Sequence, residues 1–210
     1  MLTFALSKGR LLEPSLRLLE CVGLWVGDPP MHDGVVLESG DVRFILVRDD
    51  DVPTYVSFGA ADLGIVGKDV LLEQSRDVVE LEDLRACRCR LVLAAPAGTS
   101  FPPGRTLKVA TKYPAIAEAF FSRKGYPTQI IRVHGAAELA PKMGLADAVM
   151  DLVQTGRTLA RNGLVEIEEV LVTTARLIAN PASFMLKHGR LRQVAEALAR
   201  AAASGGDEDE

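Results

Sequence analysis

Short apolar runs alternate with segments of helical spacing along almost the whole chain. The apolar runs predict strands over residues 2–6, 35–38, 42–47, 62–66, 78–81, 91–95, 107–110, 129–133, 146–153 and 166–174. Apolar residues three and four apart predict helices over 11–22, 52–58, 68–74, 115–124, 137–142, 159–162 and 190–203. Strands that alternate with helices are typical of an α/β fold, and we expect its sheets to be mainly parallel.

Composition narrows the class of protein. A chain of 210 residues that is 48% hydrophobic can form one large core or two smaller ones. A net charge of −4 argues against nucleic-acid binding, and no apolar run reaches the roughly 18 residues that a membrane span needs. The N-terminus lacks the long apolar region of a signal peptide. Three cysteines, an odd number, favour reduced thiols and a cytoplasmic location.

The most informative segment for function is the apolar run that ends in Thr-Gly-Arg-Thr at residues 155–158, which we call the TGRT turn. Backbone N–H groups at the helix start, two threonine hydroxyls, a glycine that allows close approach and an arginine together favour an anion. Asp151 adds a carboxylate inside the apolar strand. Carboxylate and turn together suit a sugar phosphate. The alternative is an ordinary strand–turn–helix in which Thr158 only caps the helix.

Two further turns carry charge after a predicted strand. Lys8 and Arg10 flank a glycine at the start of a helix, where two cations are unfavourable unless an anion is bound. They therefore indicate a phosphate chain, or else a solvated basic turn. Thr111, Lys112 and Tyr113 also precede a helix, and Tyr113 either stacks on a base or packs in the core.

A sequence echo predicts two lobes. Gly-Ala-Ala-Asp at 59–62 and Gly-Leu-Ala-Asp at 144–147 each lead into a strand that ends at a glycine turn and a helix. Two facing α/β lobes would place both turns in a shared cleft, although such an echo also arises by chance. We place the first lobe at 1–88 with 177–203, the second at 89–176, and a disordered acidic tail at 204–210.

Several longer motifs in a fixed order resemble the ATP phosphoribosyltransferase family, the first enzyme of histidine biosynthesis. They are Leu-Ser-Lys-Gly-Arg-Leu at 6–11, the stretch from Arg48 to Lys68, Val-Ala-Thr-Lys-Tyr-Pro at 109–114, Glu-Leu-Ala-Pro at 138–141 and the segment 144–164. The resemblance covers nearly the whole chain. It implies a two-lobed α/β fold of the periplasmic-binding-protein-like (type II) class, with a cleft between the lobes.

The resemblance also implies a reaction and a set of site residues. Phosphoribosyl passes from 5-phosphoribosyl 1-diphosphate to N1 of ATP and pyrophosphate leaves, with Mg²⁺ bound through the substrate phosphates. Arg10 and Lys8 would act on the diphosphate as catalytic residues. The residues expected to bind phosphoribosyl diphosphate are Glu138, Asp151, Thr155, Gly156, Arg157, Thr158 and Leu159. The residues expected to bind ATP are Lys8, Arg10, Arg48, Gly67, Thr111 and Tyr113.

In its length the chain resembles the short form of the family. That form is a catalytic subunit that needs a regulatory partner similar to histidyl-tRNA synthetase. A homodimer within a hetero-oligomer is the implied assembly, and histidine would act through the partner. One departure concerns the loop at 29–35, where the family often carries a basic pair; here only His32 could substitute. Two other functions remain open, a non-catalytic solute receptor and a regulator that binds a ribosyl phosphate without cleaving it.

Overall fold

The computed structural model describes residues 1–26, 36–102 and 104–204, which form two compact units. The first unit contains the described residues of Met1–Leu71 and Ser75–Cys87 together with those from Thr174 onward. The second contains Leu72–Gln74 and Arg88–Thr173. Within these ranges, none of the helices has the length and apolar character needed to span a bilayer. The predicted 204–210 tail lies outside the described residues from 205 onward.

Eleven strands lie in the described residues: β1 (Leu2–Ser7), β2 (Val36–Ser39), β3 (Val42–Val47), β4 (Leu63–Gly67), β5 (Val79–Asp83), β6 (Cys89–Pro96), β7 (Leu107–Thr111), β8 (Thr128–Arg132), β9 (Ala148–Val153), β10 (Leu164–Thr173) and β11 (Ala175–Ala179). The helices of the same ranges are α1 (Leu12–Cys21), α2 (Val52–Ser57), α3 (Lys68–Gln74), α4 (Pro114–Lys124), α5 (Leu139–Lys142), α6 (Arg157–Arg161), α7 (Pro181–Leu186) and α8 (His188–Ser204). The predicted elements are confirmed to within a few residues at their ends, but β11 and α7 were missed.

The first unit is built on a six-stranded sheet of order β2-β3-β1-β4-β11-β5. Strand β1 runs parallel to β3 and β4, so the ends of these three strands reach the same edge. On one face, Leu19 of α1 and Leu198 of α8 pack with Phe4 and Phe44. The phenylalanines are direct partners on β1 and β3, with ring centroids 5.6 Å apart. This packing holds β1 beside β3, and Lys8 follows directly after the end of β1.

The second unit is built on a five-stranded sheet of order β10-β6-β9-β7-β8. Strand β7 runs parallel to β8 and β9, and β6 and β10 are antiparallel. Phe120 and Phe121 of α4 cover one face, and Leu159 of α6 packs on the other against Val149 and Val153. The loops that follow β7, β8 and β9 therefore leave from one edge, and they include most of the residues predicted to bind substrate.

The expectation of mainly parallel sheets was wrong. Among the described strands, four neighbouring pairs are parallel and five are antiparallel. One antiparallel pair is the β2–β3 hairpin. The other four involve one strand in each sheet, β11 in the first and β6 in the second, which is the first strand after the chain passes from one unit into the other. That strand is inserted between two others and runs antiparallel to both. The order β3-β1-β4-β11-β5 consequently matches β8-β7-β9-β6-β10.

The sequence echo has a structural explanation. Asp62 directly precedes β4 and Asp147 directly precedes β9, the corresponding strand of the other sheet. Asp62 donates its N–H to the carbonyl of Thr3 (2.8 Å), and its Oδ2 accepts the N–H of Thr3 (3.0 Å). Asp147 brackets Lys108 in the same way, at 2.8 and 2.9 Å. Both aspartates therefore fix the strand register at the edge where the parallel strands begin. The turns that carry the predicted site residues lie at the opposite edge, where these strands end.

Candidate phosphoribosyl-binding site

The TGRT turn connects β9 to α6. Gly156 lies in the left-handed region at φ 74° and ψ −5°, a conformation in which a side chain would be strained. Val153 and Leu159, on either side of the turn, are buried in the same apolar cluster. The chain is therefore anchored before and after the turn, while Thr155, Arg157 and Thr158 remain exposed to solvent.

These residues border an open pocket of about 360 Å³. Its lining comprises Glu138, Asp151, Leu152, Val153, Gln154, Thr155, Gly156, Arg157, Thr158 and Leu159. All seven residues predicted to bind phosphoribosyl diphosphate are among them. Glu138 comes from the loop after β8, and the others come from the end of β9 and the turn that follows. The structure thus brings the predicted set together within the second unit, and the binding role of each residue stays a prediction.

Asp151 is half-buried and lies opposite Val92 of β6. Its Oδ1 accepts the backbone N–H of Leu152 at 2.8 Å. Residues at even separation share one face of a strand, so Asp151 lies on the same face as Val149 and Val153, beside α6. A carboxylate among apolar neighbours, one turn away from exposed hydroxyls, suits a ligand that carries both hydroxyl and phosphate groups.

Leu159 plays a different part from its neighbours. Its side chain is 4% exposed and belongs to the apolar cluster beneath the turn. Any contact that this residue makes with a ligand would therefore use its backbone. The leucine side chain holds the start of α6 against the sheet.

A second basic edge lies in the first unit. Lys8 donates its N–H to the carbonyl of Val47 at 2.7 Å, which ties the turn after β1 to the end of β3. Arg48 follows Val47 directly, so Lys8 and Arg48 leave adjacent parallel strands at the same edge. The side chains of Lys8, Arg10 and Arg48 are exposed. The structure therefore gathers three predicted cationic residues at one sheet edge.

Gly67 ends β4 at this same edge, and its role in ATP binding stays a prediction. A Cβ at position 67 would overlap the Oδ1 atom of Asp69, a residue that is 2% exposed. A side chain at position 67 would therefore force the buried carboxylate of Asp69 to move.

Thr111 and Tyr113, the other residues predicted to bind ATP, belong to the second unit. The hydroxyl of Thr111 is buried and accepts the N–H of Tyr113 at 2.9 Å. Tyr113 is 4% exposed and packs in the core with Phe120. Of the two predicted alternatives for its ring, stacking on a base or packing in the core, the structure shows packing in the core. Their contacts with ATP remain predictions, as do those of the first-unit residues.

The sequence analysis missed three polar residues near the turn. Gln154 lines the pocket. Arg90 of β6 and Glu166 of β10 form a two-pronged ion pair, with Nη1 of Arg90 2.7 Å from Oε2 of Glu166 and Nη2 3.0 Å from Oε1. No sequence signal joins these two residues, because they lie on strands that are far apart in the chain. Among the described residues, no group of three or more His, Cys, Asp or Glu side chains is placed to hold a metal ion. His32 and the 29–35 loop lie outside the described residues.

Comparison with known proteins identifies the family. The family model described as ATP phosphoribosyltransferase matches residues 48–200. An ATP phosphoribosyltransferase of Moorella thermoacetica is 46% identical over 99% of this chain and 96% of its own length. One of Syntrophomonas wolfei is 45% identical over 97% of both chains. These lengths agree with the predicted short form.

Solved structures give the same result. The chain resembles a chain of the ATP phosphoribosyl transferase (HisG:HisZ) complex from Thermotoga maritima, with a TM-score of 0.85 and 34% sequence identity. The match covers 97% of this chain and 100% of the other. It confirms the expected two-lobed, periplasmic-binding-protein-like α/β class. Sequence and fold agree that this chain belongs to the ATP phosphoribosyltransferase family.

Proposed function

We propose that the TGRT turn holds the 5′-phosphate of phosphoribosyl diphosphate while the ribose lies over Asp151 and Glu138. The protein transfers the phosphoribosyl group of this substrate to N1 of ATP and releases pyrophosphate, the first step of histidine biosynthesis. The observation that carries the proposal is the pocket at the TGRT turn, which is lined by exposed hydroxyls, an arginine and two carboxylates. Hydroxyls and arginine suit a phosphate, and carboxylates suit sugar hydroxyls.

The reaction needs alignment and charge more than a covalent nucleophile. As the bond between C1 and the diphosphate lengthens, positive charge develops on the ribose and negative charge on the leaving group. Holding the 5′-phosphate at one end fixes C1 relative to the incoming N1 of adenine, which lowers the entropic part of the barrier. Preorganised charges near the leaving group stabilise the transition state more than the ground state.

Arg10 and Lys8 are the residues we assign to the leaving diphosphate. Both are exposed on the turn after β1, where two cations around a glycine at the start of a helix favour a bound anion. Arg48 leaves the neighbouring strand at the same edge and is assigned to the phosphates of ATP. Gly67, Thr111 and Tyr113 complete the proposed ATP-binding set.

Magnesium fits the donors that the pocket offers. Mg²⁺ is commonly bound through one or two carboxylates together with substrate phosphates, and both Asp151 and Glu138 line the pocket. These carboxylates would hold the ion in the presence of the substrate phosphates. When bound, the ion would neutralise part of the diphosphate charge. The protein's own share of that task falls to Arg10 and Lys8.

A regulatory partner is also part of the proposal. The Thermotoga maritima neighbour is a HisG:HisZ complex. We assign to this chain a comparable partner, similar to histidyl-tRNA synthetase, and a homodimer within the hetero-oligomer. The cytoplasmic location expected from the cysteines stays a prediction.

Two measurements test the proposal. The chain is incubated with ATP, phosphoribosyl diphosphate and Mg²⁺, with and without the partner, and pyrophosphate is followed; a receptor or a non-cleaving regulator would release none. A crystal is then soaked with phosphoribosyl diphosphate. We expect the 5′-phosphate in the TGRT turn. A sugar phosphate bound elsewhere, with this pocket empty, would overturn the site assignment while leaving the activity in place.

A further inference from the structure

A carboxylate lies directly beneath the TGRT turn. The Oε1 atom of Glu166 is 3.2 Å from the position that a Cβ at residue 156 would occupy. Gly156 therefore lies against Glu166, and a side chain at this position would push the carboxylate away by a few tenths of an ångström. A negative charge at this point is unexpected, because the proposed ligand of the turn is itself a phosphate.

Arg90 compensates that charge and fixes its position. Its two terminal nitrogens bind the two oxygens of Glu166 in the fork geometry that arginine and carboxylate share. A second carboxylate lies nearby, with Oε2 of Glu169 3.7 Å from Nη1 of Arg90. The hydrogen bond to Glu166 is the main reason that the pKa of Arg90 is raised.

The strands place this pair on the ligand side of the sheet. Arg90 is the direct partner of Val153, the last residue of β9 before the turn. Directly paired residues of antiparallel strands share a face, so Arg90 lies on the face that carries Asp151. Glu166 pairs with Ala94, two residues from Val92 on that face, and the β10 register shifts immediately after it. Such an irregularity re-aims side chains locally.

We infer that Arg90 and Glu166 are positioning residues for phosphoribosyl diphosphate: the ion pair sets the height of the TGRT turn and keeps an uncompensated negative charge away from the 5′-phosphate. The inference rests on the proposed function of the turn. Neither residue lines the pocket, so both act through Gly156 and its neighbours. Removing Arg90 alone would leave a bare carboxylate next to a phosphate site. Removing the charge of Glu166 as well would relieve the repulsion.

The test is a charge-rescue series in the full-length protein, assayed with the partner where activity requires it. Arg90→Met should raise KM for phosphoribosyl diphosphate roughly tenfold and change KM for ATP less than about twofold. The double variant Arg90→Met/Glu166→Gln should return the first KM to within about threefold of wild type. Arg90→Lys, which keeps the charge but loses the fork, should fall between wild type and Arg90→Met. If Arg90→Met does not fold, Arg90→Lys takes its place as the variant that changes Arg90 alone.

The matched control is Arg43→Met, which removes an ion pair between neighbouring strands of the first sheet, Arg43 with Glu38 at 2.9 Å. It should leave both KM values unchanged. Equal changes in the two KM values, or a double variant as impaired as Arg90→Met, would reduce the pair to a structural role and overturn the inference. The proposed function fails separately, if the wild-type protein shows no saturable binding of phosphoribosyl diphosphate.

Discussion

Replacing Gly156 with alanine tests whether the shape of the TGRT turn determines substrate affinity. The residue has φ 74°, and the left-handed region costs an L-residue about 1–2 kcal/mol. The added Cβ would also lie 3.2 Å from Oε1 of Glu166, closer than an ordinary van der Waals contact. We expect the turn to move and so relieve both the backbone strain and the close contact. The cost should then appear mainly as weaker binding of the 5′-phosphate.

A loss of about 1–2 kcal/mol corresponds to an increase of roughly 5- to 30-fold in KM for phosphoribosyl diphosphate. KM for ATP should change little. The assay is the initial rate of pyrophosphate release, with each substrate varied while the other is saturating. A thermal melt of the same variant measures how much of the strain instead lowers the stability of the folded protein.

Gly125 provides the matched control. It has φ 69° at the end of α4, and a Cβ there would meet nothing within 4 Å. Gly125→Ala therefore pays the same backbone penalty without disturbing the turn, and should lower the melting temperature by a few degrees with both KM values unchanged. If the two alanine variants share one kinetic profile, or if Gly156→Ala raises KM for ATP equally, the reasoning about the turn is refuted.

Three further predictions concern single side chains. Arg10→Ala should lower turnover by about 10²–10³ with an unchanged melting temperature, as expected for a lost transition-state charge; an unaltered turnover number in steady-state kinetics would remove Arg10 from the mechanism. Thr158→Val should weaken binding of phosphoribosyl diphosphate more than binding of ATP in calorimetric titrations, and equal losses would contradict the turn assignment. Asp62→Asn should destabilise the protein by about 1–3 kcal/mol near neutral pH, because Lys187 (2.8 Å) and Ser183 (2.6 Å) lose a charged partner. Burial raises the pKa of Asp62, but hydrogen bonds from Lys187, Ser183 and Thr3 outweigh it and hold the pKa below 3.8. The contribution of this carboxylate is therefore complete above about pH 3.8 and is lost as the pH falls through the folded-state value, so the stability difference between wild type and Asp62→Asn in urea titrations should shrink at acidic pH. A constant difference would argue against that role.

Local patterns in the sequence were enough to predict most of the strands and helices, and the TGRT turn, but not β11 or α7. The apolar run before the turn, its glycine and the following helix are contiguous, so no tertiary information is needed to place them. The same holds for the turn at Lys8. Bringing Glu138 to the pocket depended on family resemblance, because the loop after β8 reaches the turn only through the parallel order of β8, β7 and β9.

What the sequence could not reveal depends on tertiary pairing. Strands β10 and β11 are separated only by Thr174, so they form one continuous β-type pattern although they belong to different sheets. The Arg90–Glu166 pair joins β6 and β10, and no local period links them. The predicted strand at 146–153 included Asp147, but β9 begins after this residue, and its carboxylate pairs with Arg105 at 2.7 Å.

Strand β11 has a consequence for how the protein is made. It lies between β4 and β5, yet the ribosome synthesises it only after the entire second unit. The β6–β10 sheet can close as soon as residue 173 has emerged, whereas β4 waits with a bare edge and β5 without its neighbour. We therefore expect the nascent chain to mature from the middle outward, with its earliest residues exposed to chaperones for longest.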